Sequence, residues 1–135
     1  MISPFVFSGT IVKGNQLGRT IGFPTANLLS ETDLAFPLPY GVYAVKVKIK
    51  GKDHFGMANV GIRPTLADKK FTIEINIFDF SEDIYGEKMT VFFYDHIREE
   101  RKFPGLDALK EQIAKDEILI RKILSDRMKA DPNTF

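Results

Sequence analysis

Hydrophobic and polar residues alternate with a period of two along most of the chain up to about residue 100. The clearest run is 42–50, in which an apolar set faces one way and a lysine set the other: Val45, Val47 and Ile49 against Lys46, Lys48 and Lys50. Such alternation is typical of a strand with one buried face. The same pattern predicts strands at 5–12, 54–62, 71–80 and 89–96, and a short extended piece that ends at Leu28-Leu29.

Turn residues separate these predicted strands. Gly51-Lys52-Asp53 is a turn signal between two of them. The segment 30–40 contains Pro37 and Pro39, which indicates a connector. Several strands at close spacing, joined by turns, predict a closed or nearly closed antiparallel barrel.

The hydrophobic period changes after residue 104. Leucines and isoleucines recur there with helical spacing, at Leu106, Leu109 and Ile113 and again at Ile120, Ile123 and Leu124. Asp116, followed by Glu117, suits an N-cap that would divide this segment into two helices. We expect a single domain over 1–135, with the barrel at about 1–100, a helical segment at 104–128 and a loose tail at 129–135.

Composition narrows the function classes. The 135 residues carry a net charge of +1, which argues against a broad nucleic-acid-binding surface. Without cysteine the chain forms no disulfide, as suits a reducing cytoplasm. It has no apolar run long enough for a bilayer and no secretory signal pattern, so we expect a cytoplasmic protein without a membrane partner.

The stretch 14–27 carries the strongest chemical signal. Its glycines expose backbone N–H groups that can cradle an anion, and Lys13 and Arg19 add positive charge. Thr25 and Asn27 supply hard oxygen ligands that suit Mg²⁺. It is not a Walker A loop, because Pro24 would break the helix that such a loop requires. The alternative is a glycine-rich hairpin with a proline-fixed turn.

Several separated motifs in order resemble those of the riboflavin kinase family, including the kinase module of bifunctional bacterial FAD synthetases. They are Gly22-Phe23-Pro24-Thr25-Ala26-Asn27, Gly41-Val42-Tyr43, Asn59-Val60-Gly61-Ile62-Arg63-Pro64-Thr65, Glu74 on an alternating strand, Asp83-Ile84-Tyr85-Gly86, and Arg98 with Phe103 before a helix. The resemblance implies a small six-stranded antiparallel Greek-key β-barrel with a C-terminal helical segment. It also implies transfer of the ATP γ-phosphate to riboflavin, giving FMN and ADP, with Mg²⁺ or another divalent cation.

The resemblance assigns site residues by position. Those for ATP are Gly14, Arg19, Thr25, Asn27, Ile77, Asp79 and Tyr85, and those for the metal are Thr25 and Asn27. Those for the flavin are Arg98, Arg101 and Phe103. Glu74 is the implied catalytic base, in mid-strand where glutamate is normally disfavoured. Asn76 is a departure, because relatives usually have histidine there.

Simpler readings stand beside these assignments. Glu74 could face solvent, Ile77 could be plain core, and 98–102 could be a solvated charged linker. A non-catalytic flavin-binding barrel, or a barrel that presents Lys46, Lys48, Lys50 and Lys52 to an oligonucleotide, is the alternative function. In many bacterial proteins of the family the kinase module follows an adenylyltransferase domain, so a longer parent chain is a further expectation.

Overall fold

The computed structural model of the protein describes residues 4–12, 26–30, 36–64, 69–80 and 84–130. This part of the chain contains six strands and a long helix. The strands are β1 (Phe5–Val12), β2 (Ala26–Ser30), β3 (Gly41–Ile49), β4 (Lys52–Pro64), β5 (Lys69–Ile77) and β6 (Lys88–Arg98), and the helix is α1 (Leu106–Ala130).

The six strands close into a barrel in the order β1-β2-β5-β4-β3-β6, and every neighbouring pair is antiparallel. Strands β3, β4 and β5 are consecutive neighbours, and β6 returns to lie beside β3, which is the Greek-key arrangement. The predicted six-stranded antiparallel barrel with a C-terminal helical segment is therefore confirmed.

Apolar side chains fill the inside of the barrel. Val45 and Val47 are fully buried, as their alternation with lysines predicts. The ring of Phe93 contacts Phe5, Phe36 and Tyr43 at centroid separations of 5.9, 5.3 and 5.4 Å. Because side chains pack this interior, a ligand has to bind on the outside of the barrel or at one of its ends.

Several predicted strand bounds differ from the structure, and two of the differences have a clear physical reason. The turn between β3 and β4 consists of Lys50 and Gly51, whose φ angles are 52° and 78°, so Lys52 and Asp53 already belong to β4. Two residues with positive φ are typical of a tight hairpin turn whose twist matches the strands. Strand β5 ends at Ile77 rather than at Phe80, because the chain turns at Asp79, where φ is 57°.

The predicted helix break at Asp116 was also wrong. Helix α1 is continuous from Leu106 to Ala130, so the first two residues of the predicted tail are helical and 131–135 lie outside the described residues. Asp116 is only 3% exposed and accepts hydrogen bonds from Arg98 and Gln112, so its carboxylate is a tertiary partner, not a cap. No helix in the described part of the chain is long and apolar enough to cross a membrane.

One face of α1 packs on the outer surface of the barrel. Ile120 and Leu124 are fully buried there against Val42, Ala44 and Met57. This second apolar cluster lies on the opposite side of the sheet from the barrel interior. Part of the outer surface is thus covered by the helix, and the strands beside it carry the polar residues described next.

Candidate functional site

A row of residues crosses the outer surface of the barrel, one from each of five neighbouring strands. Backbone register pairs Asn27 with Glu74, Glu74 with Asn59, Asn59 with Val42, and Val42 with Arg98. Neighbouring strands lie about 4.8 Å apart, so Glu74 and Arg98 are separated by about 14 Å of sheet. We call these five residues the outer row. It contains a predicted metal ligand (Asn27), the predicted base (Glu74) and a predicted flavin contact (Arg98).

The outward direction of the polar members follows from their neighbours. Glu74 lies between Ile73 and Ile75, which are 1% and 0% exposed inside the barrel. Asn27 is likewise flanked by the buried Ala26 and Leu28. Successive side chains of a strand point to opposite faces, so Glu74 and Asn27 face outward. Both are half-buried. Glu74 thus faces the outside of the barrel, the direction that both the catalytic role and the solvent-facing alternative require.

Asn59 belongs to the same group, although sequence reasoning did not assign it a role. It lies between Ala58 and Val60, both fully buried in the barrel interior. Its Oδ1 atom is buried and has no hydrogen-bond partner among the described residues. The alternation along β4 could have shown that Asn59 faces outward, but only the strand register shows that it adjoins Glu74.

The three predicted flavin residues lie together at the other end of the outer row. The guanidinium carbons of Arg98 and Arg101 lie 5.8 and 4.9 Å from the ring centroid of Phe103. Arg98 also donates hydrogen bonds from Nε and Nη2 to Asp116 Oδ2, at 3.0 and 2.8 Å. This bidentate pair fixes Arg98 to helix α1. Within the segment 98–102, Arg98 is therefore held to the helix, whereas residues 99–102 are exposed, as the alternative of a solvated charged linker expects.

The connection between β6 and α1 folds back onto the sheet. The carboxylate of Glu100 lies against Gly61, so close that a Cβ atom at that position would overlap it. Gly61 is two residues beyond Asn59 and faces the same side of the sheet. Because glycine has no side chain, the connection can approach the backbone of β4 and border the outer row.

The predicted ATP residues are only partly brought together. Within the described residues, Asn27 adjoins Glu74, and Ile77 lies about 10 Å further along β5. The side chain of Ile77 faces the barrel interior, as expected for a core residue, so only its backbone is suited to a polar ligand. Gly14, Arg19 and Thr25 lie outside the described residues.

Asp79 and Tyr85 occupy separate turns. Asp79 accepts hydrogen bonds from Arg121 in α1 at 3.0 and 3.1 Å, and these bonds lower the pKa of the Asp79 carboxyl. Tyr85 packs against the barrel core, and the next residue, Gly86, donates a backbone hydrogen bond to Ile11 near the end of β1. The Tyr85 turn is therefore fixed beside the point where the chain enters the glycine-rich stretch.

The oxygen atoms at one end of the outer row suit a hard divalent cation. Asn27, the one of the two predicted metal ligands that the structure describes, supplies an amide oxygen and lies on the strand next to Glu74. The described residues contain no cluster of three or more histidine, cysteine, aspartate or glutamate side chains. Mg²⁺ typically takes few protein ligands and completes its shell with phosphate and water oxygens. The amide oxygen of Asn27 is suited to be one of the few protein ligands of such an ion.

The family model for riboflavin kinase matches residues 1–124 of the chain. The chain belongs to the riboflavin kinase family. It is 43% identical over 116 residues to the bifunctional riboflavin kinase/FMN adenylyltransferase of Bacillus subtilis, a match that covers 84% of this chain and 36% of that protein. The predicted family is thus confirmed, and the chain spans about a third of the length of this relative.

Two solved structures share the fold of this riboflavin kinase family member. One, described as a macrolide-efflux protein from Streptococcus pneumoniae, superposes with a TM-score of 0.82 at 42% identity, over 87% of this chain and 38% of that one. The other is a riboflavin kinase from Trypanosoma brucei, with a TM-score of 0.67 at 24% identity, over 92% of this chain and 79% of that one. At that identity, the second likeness concerns the fold alone.

Proposed function

We propose that this chain transfers the γ-phosphoryl group of ATP to the terminal hydroxyl of the ribityl chain of riboflavin, giving FMN and ADP. The observation that carries the proposal is the outer row. From β2 to β6 it presents an oxygen ligand for a metal, a carboxylate, and an arginine beside an aromatic ring. This is the order in which a metal–triphosphate, a reacting hydroxyl and a flavin ring would lie.

Glu74 is the proposed base. Its carboxylate accepts the proton of the terminal hydroxyl as the hydroxyl oxygen forms a bond to the γ-phosphorus. The bond between the γ-phosphorus and the oxygen that bridges it to the β-phosphate breaks, and that oxygen leaves with ADP. A carboxylate held half-buried on a rigid strand is well placed to orient the hydroxyl as well as to receive its proton.

Asn27 and Thr25 are the proposed metal ligands, and Gly14 and Arg19 the proposed phosphate contacts. When bound, Mg²⁺ would neutralise charge on the phosphate oxygens. Asn27 is the member of this group that the structure describes, and it holds its amide beside Glu74. Ile77, Asp79 and Tyr85 remain proposed contacts of adenine and ribose.

Arg98, Arg101 and Phe103 are the proposed flavin contacts. The isoalloxazine ring is planar, and aromatic and guanidinium groups present planar faces to it. Arg98 is suited to positioning because Asp116 holds it, whereas Arg101 is exposed and is free to approach a ligand through its solvent-facing side. Phe103 is half-buried, and its ring lies close to both guanidinium groups.

The alternative oligonucleotide-binding function is disfavoured by two of the lysines in and after β3. Lys46 faces out of the barrel, as predicted, but is only 5% exposed and lies 4.4 Å above the ring of Phe92. Lys50 lies 3.9 Å from the Glu87 carboxylate. Lys48, Lys50 and Lys52 are exposed, so the set of lysines that could contact a phosphate backbone lacks Lys46 and has one member paired with a carboxylate.

The proposed reaction is tested by incubating the protein with riboflavin, ATP and Mg²⁺ and separating the flavins by chromatography. We expect a new FMN peak that depends on ATP and on the divalent cation. Binding of riboflavin without FMN formation would instead support the non-catalytic flavin-binding alternative. A control with the unhydrolysable β,γ-imido analogue of ATP should yield no FMN.

We further propose that the intact protein carries an adenylyltransferase domain on the same polypeptide. The B. subtilis relative is named for both activities, and this chain covers 36% of it. The mass of the native protein in cell extract, measured by immunoblot, tests this. A band of the mass of this chain alone would contradict it.

A further inference from the structure

The side-chain amide of Asn59 has no part in the reaction as proposed above, yet it lies at the centre of the outer row. Its backbone register places it between Glu74 on β5 and Val42 on β3. Within the part of the chain that the structure describes, its buried Oδ1 atom has no hydrogen-bond partner. Native proteins keep few buried polar atoms without a partner, and each one that persists calls for an explanation such as a catalytic role, a bound water or an ion.

The direct cross-strand partners of Asn59 offer no donor to its oxygen. Glu74 bears a carboxylate, which when ionised only accepts hydrogen bonds. Val42 is apolar, and the Gly61 position on the same face is covered by the carboxylate of Glu100. The position therefore suits a ligand that brings a donor of its own, such as a hydroxyl group.

We propose that Asn59 Oδ1 accepts a hydrogen bond from the secondary hydroxyl of riboflavin that is adjacent to the terminal, reacting hydroxyl. This inference rests on the proposed function. Cross-strand partners have Cβ atoms about 4.5–5.5 Å apart, so the side chains of Glu74 and Asn59 can reach adjacent oxygens of one polyol chain. Glu74 then takes the terminal hydroxyl and Asn59 its neighbour.

Two contacts at adjacent oxygens fix the position of the reacting hydroxyl better than one. The terminal carbon of a polyol rotates freely when only its own oxygen is held. With the neighbouring hydroxyl bound to Asn59, the terminal oxygen is held at the Glu74 carboxylate. The terminal carbon then loses less rotational freedom on reaching the transition state. The site would thus select acceptors that end in two adjacent hydroxyls.

The test compares riboflavin with an analogue that lacks only the secondary hydroxyl next to the terminal one. For the wild-type protein we expect kcat/KM to fall by roughly 10- to 100-fold with the analogue, the effect of one lost hydrogen bond in a buried site. For Asn59→Ala we expect a similar fall in kcat/KM with riboflavin. In this variant the kcat/KM values for riboflavin and the analogue should differ by less than about threefold. The conservative variant Asn59→Ser should restore part of the discrimination.

Thermal unfolding without ligand separates this role from a structural one. Asn59→Ala removes a buried oxygen that lacks a partner, so its melting temperature should equal or exceed that of the wild type. The control is Thr90→Ala, which removes a hydroxyl from β6 that contacts Ser8 on β1, away from the outer row. It should leave the discrimination between the two flavins unchanged.

Fluorescence quenching measures the affinity for each flavin, so wild type and Asn59→Ala can also be compared without turnover. An Asn59→Ala protein that still discriminates between the flavins as the wild type does would overturn this inference. A wild-type protein that binds riboflavin and discriminates in affinity but forms no FMN would overturn the proposed reaction and uphold the contact. Binding of neither flavin would overturn both.

Discussion

Asn27 on β2 and Glu74 on β5 are direct cross-strand partners on the outer face of the barrel. They are 47 residues apart in sequence, and the Greek-key order of the strands makes them neighbours. This pairing links the glycine-rich stretch that ends at Asn27 to the strand that carries the proposed base. A metal–nucleotide held by the first would therefore lie beside the second.

Asn27→Ala should weaken the binding of the divalent cation without unfolding the barrel. The variant removes one oxygen ligand but keeps the outward, half-buried position of a small side chain. We expect the Mg²⁺ concentration for half-maximal activity to rise by roughly 10-fold or more. Activity is measured against Mg²⁺ at saturating ATP, with Thr90→Ala as the control. An unchanged Mg²⁺ dependence would remove Asn27 from the metal site.

Asp116→Ala should be one of the more destabilising substitutions in α1. It leaves the guanidinium of Arg98, whose side chain is only 19% exposed, without its carboxylate partner. Breaking a buried ion pair on one side costs about 3–5 kcal/mol, and we expect a value near the lower end because Arg98 retains its bond to the Glu99 carbonyl. Urea unfolding measures the change, and the KM for riboflavin should rise as Arg98 loses its fixed position.

The control for Asp116 is Glu117→Ala. Glu117 pairs with Arg121 one turn later on the helix, but both side chains are more exposed than Asp116. Such a pair contributes about 0.3–0.5 kcal/mol. Equal destabilisation by the two substitutions would show that the Arg98–Asp116 pair contributes no more to the free energy of unfolding than the Glu117–Arg121 pair.

Gly41→Ala should destabilise the start of β3. Gly41 has a φ of 139°, and an added Cβ would overlap the backbone oxygen of Arg98 and lie 2.6 Å from Nε2 of His96. We expect a loss of roughly 1–3 kcal/mol from the backbone conformation alone, and more from the overlap. Gly51→Ala is the matched control, because Gly51 also has positive φ but has no atom within 4 Å of an added Cβ. Similar urea midpoints for the two variants would contradict the predicted steric overlap.

Asp79→Asn should show a pH-dependent loss of stability. Hydrogen bonds from Arg121 hold the pKa of the Asp79 carboxyl below its ordinary value. The stabilisation is therefore fully present above the unfolded-state pKa of about 3.9 and is lost as pH falls through the lower folded-state pKa. Asparagine tolerates the positive φ of this position, so the variant tests the charge and not the turn.

The measurement for Asp79 is the difference in melting temperature between wild type and Asp79→Asn at neutral pH and at about pH 3, below the ordinary pKa of an aspartate. We expect a small deficit for the variant at neutral pH that shrinks as the medium becomes acidic. A deficit that stays constant down to that pH would mean that the Asp79–Arg121 ion pair is not its cause.

Most of the barrel could be predicted from alternation, because each strand has one face in a packed interior and the other outside. The outward direction of Glu74 also follows from that pattern. The outer row could not be predicted in the same way. It depends on which residue of each strand lies opposite which, and register is set by tertiary packing and turn geometry.

Two residues show where local pattern fails. Asp116 followed by Glu117 looks like a cap, but the carboxylate is used by Arg98, which lies 18 residues earlier in the sequence. Lys46 alternates correctly with Val45 and Val47, yet it is buried because the Phe92 ring and other outer-surface groups cover it. In both cases a contact distant in sequence decides the environment of a charged group.

Replacement of Glu74 by glutamine tests the central claim most directly. Glutamine keeps the shape of the side chain but cannot accept the hydroxyl proton, so kcat for FMN formation should fall by roughly 10²–10⁴-fold. The melting temperature and the KM for ATP should change little. Glu111→Gln, at an exposed position of α1, is the matched control and should retain full activity. Wild-type turnover by Glu74→Gln would contradict the account.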